Sequence, residues 1–273
     1  MSDPFEVPDP VHAAGPLGVR VVGNSGPVVV LVHGLGRVAA CWGAVAALTR
    51  DHLRLVLPDN PGLGRSSHLP VPRTIAKHAE LHRETLEALG LPPPYHCAGL
   101  SLGGMIAPEL AAALGDRAAS VTLFSSSSRE SGFWRLSGRS LCRMGGRALR
   151  HLSLDHRVNM PELVRPELLS ADPQLPQRLD ALQRAEGFSA RNGTRQLFAA
   201  MRWKIGPIIS QLPQHRLVVV GSDDKLVPPH NSHRLAQLLD CPIEVLDGRG
   251  HDLGQDAPAE VARVLMEVSG AHA

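Results

Sequence analysis

Gly99-Leu100-Ser101-Leu102-Gly103 lies between two stretches of opposite character, and that contrast decides the fold. Before it, Tyr95-His96-Cys97-Ala98-Gly99 reads as a short buried strand. After it, Leu102 to Leu114 (LGGMIAPELAAAL) reads as a helix of small and apolar residues. A serine on a sharp strand-to-helix turn has its hydroxyl pushed clear of the backbone, and flanking glycines remove the Cβ atoms that would clash. The helix then aims its free N–H groups and positive dipole end at the place where an oxyanion would develop. Glycine makes up 26 of 273 residues, so a chance G-x-S-x-G has a probability on the order of one in ten. Other parts of the chain must decide.

Outward from this turn, β-type runs alternate with helical patterns. Strands are predicted at Gly18–Val22, Val28–Val32, Leu53–Leu57, Tyr95–Gly99, Ser120–Phe124, Leu217–Val220 and Ile243–Leu246. Helices are predicted near 38–49, 74–89, 102–115, 231–239 and 258–268. Several strands are unbroken Val/Leu/Ile runs, as expected where both faces of a parallel sheet are covered. The pattern predicts an α/β fold, an open and mostly parallel sheet with helices on both faces.

The rhythm breaks once. From Phe124 to Arg216 there is no β run, only helical pieces punctuated by Pro161, Pro166, Pro173 and Pro176. Residues 129–205 are therefore expected to form a helical lid inserted into a core made of 1–128 and 206–273, since ligands of such sheets bind beyond the carboxyl ends of the strands. Leu136, Leu141, Met144, Leu149 and Leu152 recur at near-helical spacing and could pack one face. Residues 129–204 also hold 14 Lys or Arg against 7 Asp or Glu, a local +7 in a chain of net charge +2. Such asymmetry marks a segment with its own surface role. The alternative is an arginine-rich solvated face in a chain that has only three lysines.

Composition excludes several classes. An apolar content of 43% and a mean hydropathy near zero (−0.04) fit a globular protein, and no run approaches the ~18 apolar residues of a membrane span. The opening MSDPFEVPDP is acidic and proline-broken, unlike a signal or transit peptide, which predicts a cytoplasmic location. The net charge gives no reason to expect nucleic acid. Four scattered cysteines, Cys41, Cys97, Cys142 and Cys241, read as reduced thiols. The fourteen histidines show no third ligand at metal spacing, so no metal is expected.

Three further motifs complete a constellation. His33-Gly34-Leu35-Gly36 follows the VVVLV run, where a glycine-rich turn exposes N–H groups that can face an oxyanion; read alone, it is a tight turn with a core histidine. Asp224 follows the buried Val218-Val219-Val220 run and can accept the Nδ1–H of a histidine. Asp223 has the same chemistry but better fits a turn-forming role. His251, in Asp247-Gly248-Arg249-Gly250-His251-Asp252, sits on a late glycine-rich loop that can swing an imidazole back over the sheet.

The chain order Ser101, Asp224, His251 resembles that of the α/β-hydrolase superfamily, and the likeness runs over about 28 to 268. Its blocks are the HGLG turn, Asp59-Asn60-Pro61-Gly62-Leu63-Gly64-Arg65-Ser66, the GLSLGG elbow, and the GSDDKLVPP and GRGHDLGQDAP stretches. The resemblance implies eight strands with a cap after the sixth. It also implies a Ser101–His251–Asp224 triad, with the main-chain N–H groups of Leu35 and Leu102 as the oxyanion hole. Three departures stand out: Asn60 in the second block, Pro108 inside the elbow helix, and a short segment before Val28. A serine nucleophile argues against haloalkane dehalogenases and epoxide hydrolases, which use aspartate there.

These parts imply cofactor-free hydrolysis of a small carboxylic ester or thioester through an acyl-enzyme. The same triad can hydrolyse carbon–carbon bonds or run a perhydrolase reaction, and the fold also has non-catalytic binding members. Candidate substrate contacts are His33, Gly34, Arg135, Arg139 and Arg143. The last three, with Arg147 and Arg150, recur every three or four residues and so share a helix face. That face suits an anionic substrate or an acidic acyl carrier protein, which certain methyl-ester hydrolases of the superfamily bind through basic cap residues.

Overall fold

The computed structural model describes residues 11–12, 15–132, 135–151, 156–187 and 190–271. In chain order the elements are β1 (Val11–His12), β2 (Val19–Val22), β3 (Val28–Val32), α1 (Gly43–Thr49), β4 (Arg54–Pro58), α2 (Ile75–Ala88), β5 (Tyr95–Leu100), α3 (Gly103–Leu114) and β6 (Ala118–Phe124). Helices α4 (Gly138–His151), α5 (His156–Leu163), α6 (Pro166–Ala171), α7 (Leu175–Glu186) and α8 (Ala190–Arg202) follow. The chain closes with β7 (His215–Gly221), α9 (His230–Leu239), β8 (Ile243–Leu246), α10 (Leu253–Asp256) and α11 (Pro258–Ser269).

The strands form one eight-stranded sheet in the order β1-β2-β4-β3-β5-β6-β7-β8. β2 pairs antiparallel with β1 and β4, and every other pairing is parallel. The predicted α/β sheet is thus observed. β3, with no polar position, lies between β4 and β5 and is buried along its whole length. Its side chains alternate between faces. Val28, Val30 and Val32 join a core with Ile106 and Leu110 of α3, whereas Val29 and Leu31 join one with Val45 of α1 and Val261 of α11.

β1 is an addition to the predicted strands. It has two residues, too short for a periodic signal, and pairs Val11 with Arg20. The MSDPFEVPDP stretch and Leu152 lie outside the described residues. α3 runs through the buried Pro108, which forfeits one i to i−4 hydrogen bond.

Helices α4 to α8 occupy the sequence between β6 and β7. Where the chain leaves and rejoins the sheet its two crossings are fastened together. Arg129 N–H donates to the Trp203 carbonyl at 3.0 Å, and the Glu130 carboxylate accepts from Ile205 N–H at 2.8 Å and Gly206 N–H at 3.2 Å. A third apolar cluster, with Val38, Cys41, Met160, Val164 and Leu179, packs α5 and α7 against the turn after β3. Of the expected apolar stripe, Leu136, Leu141 and Met144 line a cavity, but Leu149 is 79% exposed and packs nothing.

Candidate active site

Ser101 sits between β5 and α3 with φ +55°, a left-handed backbone that a residue with a Cβ adopts only at a cost. Hydrogen bonds hold it there. Its N–H donates to the Phe124 carbonyl at 2.8 Å, and its carbonyl accepts from Ser126 Oγ at 2.8 Å. Glycines make the turn possible. A Cβ on Gly99 would lie 2.2 Å from the Gly103 carbonyl, and one on Gly103 would lie 2.1 Å from the Val32 oxygen. The turn after β3 packs less tightly against it: a Cβ on Gly34 would meet the Leu100 carbonyl oxygen at 3.3 Å and Ser101 Cβ at 3.6 Å.

At the ends of β7 and β8 the structure joins Asp224 to His251. His251 Nδ1–H donates to Asp224 Oδ2 at 2.7 Å. The other carboxylate oxygen, Oδ1, accepts from the N–H groups of Leu226 at 3.0 Å and Val227 at 2.8 Å. Both oxygens are therefore committed, and the carboxylate is fixed in orientation. The neighbouring Asp223 is exposed. Burial by itself would lower the His251 pKa; the Asp224 charge and hydrogen bond, helped by Asp252, outweigh it and hold the pKa above the ordinary value.

Ser101 and His251 line one cavity of about 430 Å³, which also takes in Gly34, Leu35 and Leu102. The Ser101 hydroxyl has no hydrogen-bond partner among the described residues, His251 included. The N–H groups of Leu35 and Leu102 are likewise unpaired among them. In serine hydrolases without substrate the serine–histidine contact is often long and tightens when the complex forms. Among the described residues no group of three or more His, Cys, Asp or Glu side chains is placed to hold a metal.

Three candidate substrate contacts lie elsewhere. His33 is absent from the cavity wall and almost wholly buried. Its Nδ1–H donates to the Gly34 carbonyl at 2.9 Å, and its Nε2 accepts from Asn60 N–H at 3.0 Å. Burial lowers its pKa to about 4, so it is a neutral brace for the turn. Asn60, a departure from the family pattern, also donates from Nδ2 to the His33 carbonyl at 3.1 Å.

The supposed arginine face divides. α4 begins at Gly138, so Arg135 precedes the helix and escapes its register; it enters the cavity wall, 3% exposed. Arg139 and Arg143 are exposed on α4 and line no part of the cavity. Arg143 makes a loose 3.8 Å ion pair with Glu162.

Two residues at the site were missed by sequence reasoning. Arg37 Nη2 donates to Asp252 Oδ2 at 2.7 Å, and both residues line the cavity. Arg37 directly follows the HGLG turn and Asp252 directly follows His251, and that adjacency is the one signal that could have flagged them. Three serines after β6 also have structural roles. Ser126 holds the Ser101 carbonyl, Ser127 Oγ accepts from Arg135 Nε at 3.1 Å, and Ser128 caps a short 3-10 turn.

A model of the alpha/beta hydrolase family matches residues 29–264. A relative from Azorhizobium caulinodans, named as a carbamate hydrolase, is 26% identical over 90% of this chain and 92% of its own. A pimeloyl-[acyl-carrier protein] methyl ester esterase from Aeromonas salmonicida is 36% identical over 38% of this chain and 39% of its own. Among solved structures, an enol-lactonase from Burkholderia xenovorans superposes with a TM-score of 0.72 at 18% identity, covering 95% of this chain and 99% of the other. A thermophilic esterase from Thermogutta terrifontis does so with a TM-score of 0.71 at 22% identity, covering 93% and 94%.

Proposed function

The chain belongs to the alpha/beta hydrolase family, and from that premise we propose that it is a serine hydrolase cleaving carboxylic esters or thioesters through an acyl-enzyme. The observation that carries this reading is the buried 2.7 Å His251–Asp224 pair on the wall of the cavity that Ser101 enters at a strained φ.

The steps follow from the parts. Asp224 fixes the tautomer with Nδ1 protonated, leaving Nε2 as the base. His251 takes the Ser101 proton as the oxygen attacks the acyl carbon. The oxyanion is held by the Leu35 and Leu102 N–H groups, which have no other partner among the described residues. His251 then protonates the leaving alcohol or thiol, and water resolves the acyl-enzyme by the same path in reverse. The helices between β6 and β7 act as the lid that shapes the acyl pocket. No helix among the described residues is long and apolar enough to cross a membrane.

The exposed arginines of α4, Arg139 and Arg143, suit an acidic acyl carrier protein that would present the thioester or ester. The methyl ester esterase relative supports that partner. Such binding would weaken with salt, because exposed charges are screened.

The test is labelling with a fluorophosphonate probe followed by peptide mass analysis. Ser101 should carry the label, and Ser101→Ala should lose it together with about 10⁶ in kcat. Ester turnover by Ser101→Ala near that of the parent protein would end the proposal.

A further inference from the structure

The charge balance of the cavity wall leaves one member over. Arg37 is matched by Asp252, and His251 by Asp224. Arg135 has no carboxylate partner among the described residues, although it is 3% exposed. Its Nε donates to Ser127 Oγ at 3.1 Å, and its Nη1 donates to the Ala200 and Met201 carbonyls at 3.0 and 3.3 Å. Nη2, with two N–H groups to place, has only the Met105 sulfur at 3.8 Å, a weak acceptor. Burial lowers the Arg135 pKa to about 10, which leaves the group charged at neutral pH.

The Ala200 and Met201 carbonyls belong to the last turn of α8 and supply partial negative charge only. A full positive charge facing a cavity whose surface is mostly apolar is costly without a counter-ion. The unfilled edge of the guanidinium also lies on the nucleophile's side. Met105 is one helical turn beyond Ser101 on α3, and Ser127 adjoins Ser126, which holds the Ser101 carbonyl.

We propose that Arg135 is the specificity-determining residue of this site: its Nη2 edge receives a carboxylate carried by the substrate away from the scissile bond. The preferred substrates are then half-acids, molecules with an apolar spine bearing an ester or thioester at one end and a free carboxylate at the other. This rests on the acyl-enzyme reading above. Arginine fits the task because its planar fork pairs with a carboxylate while its other N–H groups stay anchored.

A matched pair of substrates tests it: the mono-4-nitrophenyl ester of a six-carbon dicarboxylic acid, and the same ester with its free carboxyl methylated. The parent protein should favour the free acid in kcat/KM. Arg135→Gln should lose on the order of 10²-fold more on the free acid than on the capped ester, mainly through KM. Arg135→Lys should keep part of the preference. The ratio is read within one preparation, so a partly folded variant still reports it. A parent protein with no preference, or a ratio unmoved by Arg135→Gln, overturns the inference and leaves Arg135 as a clip on α8. Failure of both esters together with failure of fluorophosphonate to label Ser101 overturns the acyl-enzyme reading, and this inference with it.

Discussion

Arg37 and Asp252 form a buried two-pronged contact, with Nε and Nη2 of the arginine donating to the same carboxylate oxygen at 3.0 and 2.7 Å. The pair ties the turn after β3, which carries Leu35, to the loop after β8, which carries His251. Asp252 N–H also donates to the Leu163 carbonyl of α5 at 2.8 Å, bringing the helical segment into the same knot.

Removing one partner strands the other as an uncompensated buried charge. Arg37→Met or Asp252→Leu alone should each cost about 3–5 kcal/mol of stability, and the double variant much less than the sum. Urea unfolding of the four proteins checks this. Strictly additive losses would show that the two residues act independently.

Activity should have an acid limb set by His251. The base works deprotonated, so kcat/KM falls as pH drops through a value above the ordinary histidine pKa of about 6.5. Asp252 is among the charges that raise it, and Arg37 opposes them. Asp252→Asn removes the first and keeps the second, so the limb should move to lower pH. Profiles of kcat/KM on an uncharged ester provide the measurement, and a limb displaced upward would contradict the assignment.

Two glycine substitutions should act in opposite directions. Gly103→Ala drives a methyl group to within 2.1 Å of the Val32 oxygen, a backbone atom that cannot yield. A loss of at least about 3 kcal/mol is expected. Gly145 lies inside α4 with no atom within 4 Å of an added Cβ, and Gly145→Ala should gain about 0.5–1 kcal/mol. Paired thermal melts decide both.

Acid should destabilise the fold through three buried histidines. Burial, the largest cause in each, lowers His33 to about 4, His78 to about 3 and His82 to about 4. Their folded pKa values lie below the unfolded value of about 6.5, so in that window the unfolded chain binds more protons. Their stabilising effect is complete above 6.5 and is lost as pH falls toward 4, on the order of 2–3 kcal/mol each. Asp59 and Asp256, which burial raises to about 6, run the other way and offset part of the loss. The urea midpoint should therefore fall from neutral pH to about 4.5, and His78→Leu should flatten the slope. Stability unchanged across that interval would refute this account.

What the sequence made legible was what short-range chemistry writes down. Val28–Val32 and Ile243–Leu246 were read to the residue because each begins directly after a proline and ends where apolar side chains give way to a polar one, His33 and Asp247. The Ser101 turn could be recognised because its glycines are steric necessities. Asp224, not the turn-forming Asp223, is the residue paired with His251, and the two N–H groups its other oxygen accepts are those of Leu226 and Val227, two and three positions on. Arg135 was misgrouped, since a spacing of four fixes a helix face only once the helix has begun, and α4 starts three residues later. The Arg37–Asp252 contact spans 215 positions, and no local pattern encodes which of 26 acidic residues an arginine will meet. β1 was lost for want of length.

The fastening of Arg129 to Trp203 and of Glu130 to Ile205 has an evolutionary corollary. A segment whose two feet are clasped to each other can change its length, composition or helix count while the strands beneath keep their alignment. With the segment acting as the lid proposed above, selection could revise what this protein accepts without reopening how it reacts, and transplanting the whole clasped segment onto a related sheet should carry substrate preference along with it.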